Sequence, residues 1–185
     1  MHFLDRHGNA LIALPDQLAF RMRALARKAY PNETGGIIIG RYDDAHRTAL
    51  VRKIEGPSRD SLSGPSTFQR GICGIDTLLT QLWLRKVYYL GEWHFHPEPY
   101  PRASWIDELQ IAELARTTKL RCPEPLLLIV GLPDRGGHIA AYVFRDRLVE
   151  LPIISTHPLG KIAPLVDSPG KSSTHSQEFE RDNAI

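Results

Sequence analysis

Cysteine is scarce in this chain of 185 residues: there are two, Cys73 and Cys122, and they form no CxxC pair. Two are too few for a disulfide framework and fit a reducing compartment; both read as small buried hydrophobes. No run of about 18 apolar residues is available to span a bilayer. The opening MHFLDRHGNALIALP has no basic stretch followed by a long apolar one, so it does not read as a secretory leader. A cytosolic protein is the expectation. An excess of one charge is missing too, with 23 Lys and Arg against 21 Asp and Glu. That balance gives no argument for nucleic acid or a membrane surface as partner. No internal repeat is visible.

What remains is ordinary for a folded soluble domain: 42% hydrophobic and 24% charged residues. The length suits one domain with a substantial core and is short for two. Along the chain, a short strand at Ala10 to Leu14 precedes DQLAFRMRALARKAY, whose Leu18, Met22, Leu25 and Ala29 recur at helical spacing. ETGGIIIGRY is too short for a helix and rich in isoleucine, hence a buried strand with Glu33 at its entrance. TALVRKIEG predicts the next strand, bounded by Asp43 and Asp44. PSRDSLSGPST then reads as a mobile loop, and a short extended piece begins at Phe68.

GIDTLLTQLWLRK predicts a second helix, with Leu78, Leu79, Leu82 and Trp83 on one side. VYYLGEWHFHP is a strand that ends at Pro97. Ser104 is a good N-cap for the helix WIDELQIAELARTTK, whose first turn carries Asp107 and Glu108. LLLIVGL, HIAAYVFR and RLVELPI complete the strands. The expected fold is α/β mixed (α+β), a central mixed β-sheet with packed helices over residues 1–160. Residues 161–185 read as a polar, disordered tail.

In GEWHFHP, His94 and His96 stand at i and i+2 of a strand and so project to one face. A lone histidine would read as a core residue with a satisfied ring. A pair at a strand end is different, because the proline loop and helix that follow can bring Asp107 back to the same place. Two nitrogens and one oxygen, with a fourth position left for water, is the composition of a catalytic zinc site, although an iron facial triad uses the same residue types. There is no HExxH for a zincin. HPE at 96–98 is not followed by the PCxxC of a nucleobase deaminase.

Glu33 in ETGG, then HFHP, the six residues EPYPRA, Ser104 and Asp107 resemble the signature E…HxHPx6SxxD of the JAMM (JAB1/MPN/Mov34) metallopeptidases at every position. ETGGIIIGR and YYLGEWHFHP resemble its bacterial branch; GEWHFHP and CPEPLLLIVG are most similar to the JAB-type deconjugating peptidases of CBASS anti-phage operons. The likeness covers roughly residues 10 to 155. It implies an MPN/JAB-like domain in which His94, His96 and Asp107 bind Zn2+. It also implies that Glu33 is the general base toward the attacking water and Ser104 stabilises the oxyanion. Trp93 and Trp105 read as packing around the site.

The resemblance further implies a cytoplasmic isopeptidase whose protein substrate has an extended C-terminal tail. That substrate would be a conjugate of a cGAS-like nucleotidyltransferase, made with the help of an E1/E2-like protein. A deconjugase or processing peptidase for a bacterial ubiquitin-like or sulfur-carrier protein would use the same centre. A non-catalytic MPN scaffold is the reading from another class, and the intact signature argues against it.

Overall fold

The computed structural model describes residues 1–5, 11–43, 45 and 47–155. Two short strands, β1 (His2–Leu4) and β2 (Leu11–Ala13), precede helix α1 (Asp16–Ala29). Strands β3 (Thr34–Tyr42) and β4 (Thr48–Ile54) follow, then a small hairpin of β5 (Leu62–Gly64) and β6 (Thr67–Gln69), and helix α2 (Ile75–Trp83). Next come β7 (Tyr88–Phe95), helix α3 (Trp105–Arg116), β8 (Leu126–Val130), β9 (Ile139–Arg145), β10 (Arg147–Glu150) and β11 (Ile153–Ser155).

All strands outside the hairpin belong to one sheet of order β10-β9-β8-β7-β3-β4-β2-β1-β11. It is mixed, as expected: β7 with β8 and β2 with β4 are parallel, the other pairs antiparallel. The strands at its two ends, β10 and β11, are consecutive in the chain and joined by only Leu151 and Pro152. Such a link reaches no more than about 11 Å, so the sheet must curl until its edges approach. Leu151 N–H donates to Ala141 O at 2.8 Å and Leu4 N–H to Pro152 O at 3.0 Å, holding the seam.

Helix α1 fills one face of the curl. Its Ala19, Met22 and Ala26 pack with Ile38, Leu90, Trp93, Phe95 and Leu128 in the largest apolar cluster, and Leu18 and Leu25 sit half-buried at its rim. The other face is covered in two places. Helix α2 lays Leu78, Leu79 and Leu82 on Ile37, Ile39 and Tyr89, and α3 lays Ile111 and Ala112 on Leu127, Ile129 and Phe144. A cleft opens on this face, and the hairpin lines it through Leu62, Thr67 and Phe68.

Several expectations need correction. The stretch expected to be a mobile loop contains β5, which pairs with β6 through Leu62↔Gln69 and Gly64↔Thr67; serine and glycine hide a strand that has little apolar surface to bury. RLVELPI is two strands, because Pro152 has no N–H to give a ladder and the chain passes there from one sheet edge to the other. Cys122 is buried, as expected, but Cys73 is exposed beside the turn at Gly74. The segment predicted to end the second helix at Lys86 turns out after Trp83. Ala10, Asp44 and the predicted tail lie outside the described residues. Among the described residues no helix is long and apolar enough to cross a membrane.

One glycine fixes the phase of β7. Gly91 has φ 145° and stands where the pairing with β3 shifts register, between Ile38↔Gly91 and Ile39↔Tyr89. A Cβ there would lie 2.0 Å from the carbonyl oxygen of Leu126 on β8. Gly91→Ala is therefore expected to lower stability by about 3 kcal/mol, the upper part of the range for overpacking. Urea denaturation checks this, and an unchanged midpoint would show that β8 moves aside freely.

Candidate active site

The register of β3 against β7 builds the site. Gly35 stands opposite His94, and Thr34 opposite Phe95, so Glu33 is delivered to the end of β7 where the histidines lie. Gly35 leaves room for the ring: a Cβ at this position would lie 2.9 Å from Cδ2 of His94 and 2.7 Å from Cε1 of Phe68. Phe68 meets the His94 ring edge-on, with centroids 5.6 Å apart. Glu33 N–H donates to Gly64 O at 2.8 Å, which ties the hairpin to the start of β3.

Ser104 caps α3 as expected, and in a reciprocal way. Its hydroxyl accepts from Asp107 N–H, while its own N–H donates to Asp107 Oδ2 at 2.7 Å and its Oγ–H donates to the same oxygen at 2.5 Å. This box fixes the Asp107 carboxylate and turns Oδ1 toward His94, whose Nδ1 lies 2.6 Å away. Nε2 of His96 lies 3.6 Å from Oδ2. His94, His96 and Asp107 are all buried, and one ligand atom from each fits within 4.8 Å of the others.

The five residues singled out in the sequence thus come together on the wall of one cleft of about 990 Å³. Glu33 is half-buried there. Trp93 is fully buried and donates Nε1–H to Glu55 O at 2.7 Å, whereas Trp105, expected to pack, is 70% exposed because it begins α3 on the solvent side. Two further residues, Glu92 and Arg70, also line the cleft. Glu92 had a signal, standing two residues before His94 on the same strand face. Arg70 had none.

Electrostatics bind the set together. Burial disfavours a charged His94, but its contacts with Asp107 and Glu92 outweigh that and hold its pKa up at about 9. Burial likewise works against a charged Asp107, and the bonds from His94, His96 and Ser104 overcome it, leaving the carboxyl far below the usual range. The Glu33 carboxyl is raised, chiefly by burial and further by Asp107, against the pull of His96.

The donor set fits a divalent metal. Nδ1 of His96 lies 3.1 Å from the carbonyl oxygen of Arg102 and can only donate to it, which leaves Nε2 as a lone pair on the Asp107 side. Two imidazoles and a carboxylate held by a capping box form three converging ligands, and no thiolate is among them.

The chain belongs to the family described as prokaryotic homologs of the JAB domain, which matches residues 15–144. This bears out the resemblance carried by the signature residues. A CD-NTase/cGAS isopeptidase of Enterobacter hormaechei subsp. hoffmannii is 40% identical over 111 residues, 60% of this chain and 62% of that protein. A CD-NTase/cGAS isopeptidase of Escherichia coli is 27% identical over 137 residues, 71% of this chain and 83% of that one. The probable metalloprotease y4qB of Sinorhizobium fredii is 27% identical over 131 residues, covering 67% of this chain and 78% of its own. In fold, the solution structure of protein DSY2949 from Desulfitobacterium hafniense matches with a TM-score of 0.59 at 24% identity, over 80% of this chain and 95% of that one.

The pairing of His94 with Asp107 has a sign that can be tested. Its folded value of about 9 lies above the ordinary 6.5, so the stability it contributes to the metal-free protein is complete below about pH 6.5. That contribution is lost as pH rises through about 9. A metal needs the ring deprotonated, so its affinity should climb over the same interval as the proton becomes easier to displace. Urea midpoints in chelator are expected to fall from pH 6.5 to 9 while metal affinity, by competition titration, rises. Midpoints that stay level would mean His94 is neutral in the folded protein.

Proposed function

We propose that this protein is a zinc-dependent isopeptidase that removes a protein modifier, the C-terminus of a cGAS-like nucleotidyltransferase, from target proteins in a bacterial CBASS anti-phage defence system. The observation that carries this reading is the convergence of half-buried Glu33 with buried His94, His96 and Asp107 in one open cleft. The chain's likeness to two CD-NTase/cGAS isopeptidases supports the choice of substrate.

His94, His96 and Asp107 would hold the zinc. Zinc, when bound, supplies a Lewis acid that brings the pKa of a water ligand to about 7 and polarises a carbonyl. Glu33 accepts the proton of the attacking water and returns it to the departing lysine amine. A carboxylate half-buried at the mouth of the cleft is suited to this exchange of a proton. Ser104, exposed at the start of α3, accepts from the Asp107 N–H as a cap and would turn its one O–H from Asp107 Oδ2 to the oxyanion when substrate is in place. The cleft walls hold an extended C-terminal segment in line with the water, and proximity of this kind contributes several kcal/mol to the barrier reduction. The conjugates would be made by an E1/E2-like partner.

The test uses a bacterial cGAS-like nucleotidyltransferase joined through its C-terminal residue to a reporter protein, with casein beside it as an unfolded substrate and intact mass as the readout. One cut is expected, after the last nucleotidyltransferase residue. It should be abolished by chelation and slowed at least about 100-fold in Glu33→Gln, which should keep its zinc. Casein cut at many sites while the fusion stays whole would overturn the reading. Cleavage only of a ubiquitin-like fusion would favour a deconjugase of that class.

The two roles of Ser104 separate by measurement. A lost cap costs about 1 kcal/mol of stability, whereas a lost oxyanion donor costs about 3 to 4 kcal/mol of transition-state stabilisation. Ser104→Ala is expected to show both losses, in urea denaturation and in turnover of the fusion. A fall in stability alone would leave Ser104 as a cap only.

A further inference from the structure

Glu92 is a buried carboxylate lining the cleft, and one of its two oxygens is firmly held. Oε1 accepts from Arg70 Nε–H at 2.5 Å and from Tyr89 O–H at 3.3 Å. Arg70 is anchored in turn by donating from its Nη1 to Gly71 O at 2.8 Å. Oε2 is left pointing at Nε2 of His94, 3.6 Å away. That nitrogen is buried and makes no hydrogen bond, while Nδ1 of the same ring faces Asp107.

The two histidines therefore have matching arrangements. For His96 the atom turned away from Asp107 is Nδ1, held by the Arg102 carbonyl; for His94 it is Nε2, with Glu92 Oε2 in the corresponding place. A separation of 3.6 Å lies just outside hydrogen-bond range, and a small swing of either side chain closes it. The bulge at Gly91 makes this geometry available. It rephases the strand so that Tyr89, three residues before Glu92, shares its face and can grip its carboxylate.

We propose that Glu92, clamped by Arg70 and Tyr89, is a positioning residue that takes the Nε2–H of His94 and so presents Nδ1 of that ring to the metal. This rests on the reading of His94, His96 and Asp107 as the metal ligands. It assigns unlike ring atoms to the two histidines, Nδ1 for His94 and Nε2 for His96. A carboxylate in this position fixes the tautomer and orientation of a metal-binding histidine, and its removal typically weakens metal affinity by about 10- to 100-fold.

Two measurements test it. In zinc-loaded wild-type protein labelled with 15N-histidine, long-range NMR correlations report which ring nitrogen carries the proton. A proton on Nε2 of His94 and on Nδ1 of His96 is expected. A His94 ring bound through Nε2 would overturn the role of Glu92 while leaving the metal site standing; failure of wild-type protein to take up zinc would overturn both. Glu92→Gln, compared with wild type by chelator competition, should bind zinc about 10- to 100-fold more weakly. Glu92→Asp should recover part of that loss. Zinc affinity of Glu92→Gln within twofold of wild type would overturn the proposal. If Glu92→Gln does not fold, the NMR measurement on the unaltered chain decides.

Discussion

The pairing of β3 with β7 is the constraint on which the site depends. It sets Gly35 against His94 and carries Glu33, 61 residues earlier in the chain, to the mouth of the same cleft. A slip of one residue would turn the face of β7 that bears His94 toward α1 and bury Trp93 and Phe95 under the wrong helices. The register is protected on both sides. Trp93 and Phe95 belong to the core beneath α1, and Ile37 and Ile39 to the layer beneath α2. The cleft lies between the β5–β6 hairpin and α3, over the part of β7 that carries Glu92 and His94.

Legibility followed distance along the chain. Asp107 and Ser104 could be placed from sequence because a capping box is a local device, complete within four residues. The shared face of His94 and His96 followed from the two-residue period of a strand. Glu33 was different. Its neighbours in sequence do not distinguish it from a solvated glutamate, and only the family signature joined it to the histidines before the register of β3 and β7 did so in space. The contact of Tyr89 with Glu92 was hidden by the bulge at Gly91. Simple alternation puts Tyr89 and Glu92 on opposite faces, whereas they share one and touch. The hairpin was hidden by composition, since LSG and TFQ carry too few apolar residues to show a period, and Phe68 is the one that is buried.

Site and core are separable in energy. The three apolar clusters that hold the helices on the sheet include none of Glu33, His94, His96, Ser104 or Asp107. The polar residues are tied to one another: Ser104 with Asp107, Asp107 with His94, Arg70 with Glu92. This differs from a zinc finger, where the apolar core is too small to fold alone and the metal supplies the missing stability. Here the three apolar clusters stand apart from the polar set, so the core does not draw on those residues.

The seam of the curled sheet sets the order in which the chain can finish. β1 pairs with β11, so residues 2 and 155 must meet, and this contact closes almost the whole described chain into a loop. Loop closure becomes dearer with length, though only as a logarithm, and long-range pairing slows folding more than it weakens the product. On a ribosome β1 emerges before the other strands of this sheet and waits for β11. β3, β4 and β7 need far shorter loops. The strand pair that carries the histidines can therefore assemble while the sheet is still an open ribbon, with β1 exposed as an unpaired edge until the last strand arrives.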